Sequence, residues 1–235
     1  MRYTRADQEF YEQVFPSLVY PLVKAGILRR EHAADFDHVR RILYRKRKFA
    51  IKRMRMGVAI ELTFVDQAEA SWKNGHKEVA IVLLATALEQ ALNGVLRSLI
   101  ELRGIDPAHT TELIRSHNTV PKLTWFFEMF SGSKLPETMR REVQRIFEIR
   151  NAIVHYKAAV CHVDDNVDSY SLIRKDIIAL GRLRVRKVFD RFYTKIWGIA
   201  RRCDPSLDVA LLLGERLCEE NREKSKKTGK TKTVE

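Results

Sequence analysis

Apolar residues recur along most of this chain at the three- and four-residue spacing of amphipathic helices, and no segment alternates well enough to predict a strand. The first thirty residues carry two short helical patterns, one around Phe10 and Val14 and one after Pro16 from Leu18 to Leu28, with Gly26 interrupting the second. From Ala34 a single long helix is predicted toward Trp72, closed by the stop signal Asn74-Gly75. The next pattern, about His76 to Arg103, is apolar around most of its circumference. Only a narrow strip of Thr86, Glu89, Gln90, Asn93 and Arg97 breaks it, so this helix belongs at the centre of a bundle with its strip toward a site or a partner subunit. Gly104 ends it.

A linker with a short helix then covers about 105–117, and a helix is predicted from about Val120 to Phe130. After the turn Ser131-Gly132-Ser133, a helix opening at Pro136-Glu137-Thr138 should end near Lys157. A polar loop from Asp164 to Ser169, a long helix to about Arg201 and a short one from Asp204-Pro205 through Glu219 complete the order. The expected fold is all-α: an up-down helical bundle over 45–201, an N-terminal helical extension over 1–44, and a short helix with a disordered basic tail over 202–235.

Composition narrows the function. Lys and Arg number 43 against 30 Asp and Glu, a formal net charge of +13 that favours polyanions, nucleic acid first. Three scattered cysteines support neither a disulfide framework nor a metal site, and no cofactor is expected. No signal segment is visible at the start, and the longest apolar run, Val79 to Leu88, falls short of the ~20 residues of a membrane span. A cytoplasmic protein is expected.

The most informative run is Arg150-Asn151-Ala152-Ile153-Val154-His155. At ~100° per residue, Val143, Ile146, Phe147, Ile153 and Val154 form one apolar stripe with Arg150 in its middle. A guanidinium buried there needs a partner. Asn151 and His155 share the adjacent edge with Gln144 and Glu148. An arginine can hold a phosphate bidentately and oppose charge in a transition state, and a histidine can move a proton near neutral pH. Glu89, in the polar strip, is placed to pair with Arg150 or to tune His155, or simply to close an ion pair at an interface. Arg45, Lys46, Arg47, Lys48, Lys52 and Arg53 form a basic run that is either a track for RNA phosphates or a solvated face, with Tyr44 and Phe49 interleaved.

Arg150, Asn151 and His155 at the end of a late core helix, together with the stretch from Ala85 to Leu92, resemble the HEPN superfamily of helical ribonuclease-like domains over about residues 45–200. The resemblance implies a metal-independent endoribonuclease acting as a homodimer on RNA, a toxin or antiviral effector restrained by an antitoxin or other partner protein. Arg150, Asn151 and His155 would be its catalytic residues, with His155 of a second copy supplying the other proton transfer. The same resemblance also allows a non-catalytic module that binds RNA or nucleotide beside a partner protein.

Overall fold

The computed structural model describes residues 5–54, 60–159, 175–181 and 183–230, and among them there is no strand. The order is α1 (Arg5–Lys24), a 3-10 turn (Arg30–Ala34), α2 (Phe36–Arg53), α3 (Ile60–Lys73), α4 (Lys77–Leu102), α5 (Pro107–Arg115), α6 (Thr119–Leu123), α7 (Trp125–Ser131), α8 (Glu137–Ala159), α9 (Val185–Cys203) and α10 (Pro205–Lys230). The loop expected over Asp164 to Ser169 lies outside the described residues. The chain is all-α and divides into two compact units: unit 1 is Met1–Val58 with Asp204–Glu235, and unit 2 is Ala59–Cys203.

Unit 2 is built around α4. Its residues Ile81, Leu84, Leu88, Leu92, Val95, Leu96 and Leu99 are buried in one cluster with Phe126 and Phe127 of α7, Val143 and Ile146 of α8, and Phe189 and Phe192 of α9. Helix α4 packs against α3, α8 and α9, which is why it is apolar on nearly every side. Taken whole, its 26 residues are long and apolar enough to cross a bilayer, unlike the shorter uninterrupted run noted in the sequence, yet 56% of its most apolar window is buried inside the protein. The stop at Asn74-Gly75 falls where expected: Gly75 takes a φ of 82°, and the His76 N–H donates back to the Ser71 carbonyl at 2.9 Å.

Three helices depart from the sequence pattern. The single long helix expected from Ala34 is two, because α2 ends at Met54 with extended dihedrals (φ −64°, ψ 134°) and α3 begins at Ile60. The helix expected over Val120–Phe130 is broken at Thr124, whose φ of −116° and ψ of −114° separate α6 from α7. Conversely, α1 runs through Pro16 and Pro21 as one helix. Proline inside a helix loses a hydrogen bond and strains the preceding turn, but here Pro16 is packed against α10 within the unit.

That packing also redraws the domain boundaries. The N-terminal extension and the C-terminal segment, expected as separate appendages, form one unit. Val19, Leu22 and Leu28 join Val39 and Ala50 of α2 and Ala210, Leu213 and Leu217 of α10 in a second core. Helix α10 also continues to Lys230, past the expected end at Glu219. Buried Asp204 secures its start: Oδ1 accepts from the Ser206 N–H at 3.0 Å, and Oδ2 accepts from the Tyr20 hydroxyl at 2.6 Å.

The closest approach of α1 and α10 depends on Gly214. A Cβ there would lie 2.6 Å from Cγ and 2.8 Å from the backbone N of Pro16. Gly214→Ala is therefore expected to lower unfolding stability by about 1–3 kcal/mol. Gly94→Ala in α4, where a Cβ meets nothing within 4 Å, should instead raise it by about 0.5–1 kcal/mol. Urea unfolding of the two variants checks the opposite signs.

Candidate functional site

The motif residues lie on α8, in unit 2. Its apolar stripe packs as the periodicity predicts for Val143, Ile146, Phe147 and Ile153, all buried. Val154 is the correction: it shares the stripe by phase but is 48% exposed. Helical phase fixes a direction, whereas burial also requires a neighbour at that height, and Val154 lies near the end of α8.

Arg150 turns inward. Its Nη2 donates to Oε2 of Glu89 on α4 at 3.3 Å, and its guanidinium lies 5.7 Å from the Phe147 ring centre. The two side chains are only 24% and 29% exposed, and Nε of Arg150 is buried with no hydrogen-bond partner. The guanidinium is thus oriented by one carboxylate but not saturated; with Nε sealed from solvent, a second oxygen ligand would have to reach the Nη groups.

Asn151 and His155 are exposed, and neither side chain makes a hydrogen bond among the described residues. They continue a polar row along α8. Arg140 bonds Glu137 through Nε at 2.9 Å and reaches Gln144 at 3.4 Å, and Gln144 Nε2 donates to Glu148 at 3.0 Å. Arg140 and Arg141 together hold the Glu137 carboxyl below its ordinary range. Arg150 and His155 are five residues apart, about 140° around the helix and ~7.5 Å along it. One chain therefore brings Arg150 to Glu89 but sets His155 on another face of α8.

The polar strip of α4 serves several neighbours rather than one site. Thr86 Oγ1 donates to its own helix at the Val82 carbonyl, and Arg97 Nη1 donates to Thr111 of α5 at 3.1 Å. Gln90 is exposed, while Asn93 Oδ1 is buried without a partner. The basic run Arg45, Lys46, Arg47, Lys48, Lys52 and Arg53 is exposed on α2, in unit 1. Two of its arginines lie over neighbouring rings, Arg47 at 4.4 Å from Tyr44 and Arg53 at 4.1 Å from Phe49. Tyr44 is 70% exposed, whereas Phe49 is partly buried against the core of unit 1.

A residue that the sequence did not single out is Lys122. It sits on the five-residue α6 and is buried, and α6 packs on both α4 and α8. Burial pushes its ammonium below the ordinary lysine value, and the charge of Glu89 works in the opposite direction. Glu89 therefore answers two cations. A lone lysine in a short helix has no periodicity to mark it as inward-facing.

The depressed Lys122 has a signed consequence. The unfolded chain binds more protons than the folded one between the lowered folded pKa and the unfolded value near 10.5, so this residue makes stability rise with pH across that alkaline interval. Lys122→Met should be more stable than wild type at pH 7, with the gap closing as pH approaches 10. Denaturant unfolding at the two pH values measures it, and a gap that widens is the contrary result. No family model, no curated protein and no solved structure matches the chain.

Proposed function

We propose that the protein is a metal-independent endoribonuclease whose working form is a homodimer. The observation that supports it best is the inward Arg150, oriented by Glu89, on the same helix as the exposed Asn151 and His155. In this reading the RNA 2′-oxygen attacks the adjacent phosphorus, forming a cyclic phosphodiester as the bond to the 5′-oxygen breaks. One His155 takes the proton from the 2′-hydroxyl, and a second, from the other copy, protonates the departing 5′-oxygen. Arg150 opposes the charge that grows on the non-bridging oxygens, and Asn151 orients the phosphate or the imidazole. The second copy is required because Arg150 and His155 of one chain diverge around α8.

A second reading, a non-catalytic RNA-binding module, is favoured by the ion pair itself, since Glu89 already offsets part of the Arg150 charge. End-labelled RNA incubated in EDTA separates the two. The nuclease leaves 2′,3′-cyclic phosphate ends, and His155→Ala and Arg150→Ala each slow cleavage by about 100-fold or more. Binding without cleavage, equal in wild type and His155→Ala, supports the module. A monomeric variant that cleaves as fast as wild type removes the dimeric mechanism.

A further inference from the structure

Unit 2 carries an open groove of about 1030 Å³ bordered by the end of α3, the start of α8 and the length of α9, and none of Arg150, Asn151 or His155 lines it. Its walls hold seven cationic side chains against two carboxylates. Three of the cations are engaged by acids. Lys73 pairs with Glu69 at 3.0 Å, Arg186 with Asp66 and with Glu69 at 3.8 Å, and Arg191 with Glu142. The side chains of the other four, Arg184, Lys187, Lys195 and Arg202, make no hydrogen bond or ion pair among the described residues.

These four lie along one side of α9 and just before it, flanking the face that buries Val188, Phe189, Phe192, Ile196 and Ile199. From Arg184 to Arg202 they extend over about 27 Å at the helical rise. Four charges strung out in a row do not converge on a small anion; they match a chain of anions. The floor supplies the second part of the recognition. Trp72 and Leu183 are half-buried and Met139 is buried, so apolar surface lies recessed between the charges. A lipid surface needs apolar groups that protrude, and a duplex keeps its bases inside. A single strand presents phosphates and unstacked bases together.

We propose that this groove is a binding site for single-stranded nucleic acid, with phosphates on Arg184, Lys187, Lys195 and Arg202 and a base against Trp72. The length of the row suits the lower part of the roughly 4–16 nucleotides that such basic, aromatic-floored grooves take. The site stands on its own residues and does not require α8 to be catalytic.

The test is fluorescence anisotropy with a 5′-labelled 12-nucleotide single-stranded RNA in EDTA, using the full-length chain carrying His155→Ala so that binding is read without cleavage. Lys187→Glu with Lys195→Glu should weaken binding at least tenfold and reduce the slope of log affinity against log salt by about 1.4. Trp72→Ala should weaken it roughly tenfold at unchanged slope. Arg103→Glu with Arg115→Glu, at exposed positions outside the groove, makes the same change in net charge and should cost less than threefold. Equal losses in the two double variants, or a groove variant that binds RNA as before, overturn the site. So does a groove variant that loses only its sedimentation with phosphatidylserine vesicles. If Lys187→Glu with Lys195→Glu unfolds by circular dichroism, Arg184→Glu with Arg202→Glu, both at exposed positions, carries the same expectation.

Discussion

A guanidinium set among hydrocarbon constrains unit 2 more than any other single feature. Arg150 occupies the middle of the stripe by which α8 joins the core, and it has to meet an acceptor there. Helix α4 offers apolar surface in almost every direction, so hydrophobic burial alone leaves its rotation weakly determined. The carboxylate of Glu89 removes that freedom. Turning α4 by one residue toward Leu88, ~100°, would leave Arg150 against aliphatic side chains at a cost of several kcal/mol. The pair is worth more as a choice of packing than as net stability, because both charges give up water to make it. Lys122 adds to the constraint by bringing a second cation toward the same carboxylate from α6.

What the sequence discloses follows the range of the interaction concerned. Helix α4 was legible nearly to the residue, because its periodicity, the Asn74-Gly75 stop and Gly104 are all local. So was the inward phase of Arg150. The break at Thr124 was not, since no proline or glycine stands there, and the one after Met54 has only Gly57 to announce it, amid residues that continue the helical pattern. The union of α1 with α10 was also hidden. It joins segments nearly two hundred residues apart, and its signature is a single small residue, Gly214, opposite a proline that reads locally as a helix breaker. Exposure was misjudged at Val154 for a related reason: phase states which way a side chain points, not whether another helix stands there.

The site divides in the same manner. Arg150, Asn151 and His155 were visible as a spacing on one helix, but the consequence of that spacing needed geometry. Five residues of α-helix carry His155 away from the face that Arg150 uses. The chemistry assigned to them therefore asks for two copies, whereas a binding role asks only for the Arg150 edge.

Net charge is the coarsest of the signals, and the structure resolves it into different kinds of surface. On α2 the exposed arginines lie over rings of their own helix, Arg47 on Tyr44 and Arg53 on Phe49, so part of the aromatic surface that a base would need is already covered. At the α9 groove the cations are less engaged, and Trp72 has, among the described residues, only Lys77 near its ring, at the longer distance of 5.4 Å. Acids from α3 and α8 engage Arg186 and Arg191, and these pairs tie α9 to its neighbours. Arg184, Lys187, Lys195 and Arg202 are left without acids among the described residues. Such a row repels itself, a cost that falls as salt or a bound polyanion screens it. Because the apolar floor belongs to the same groove, salt can relieve the repulsion but cannot replace contact with Trp72. Polyanions that carry bases and polyanions that do not should therefore differ most at this groove, and that difference separates recognition from charge alone.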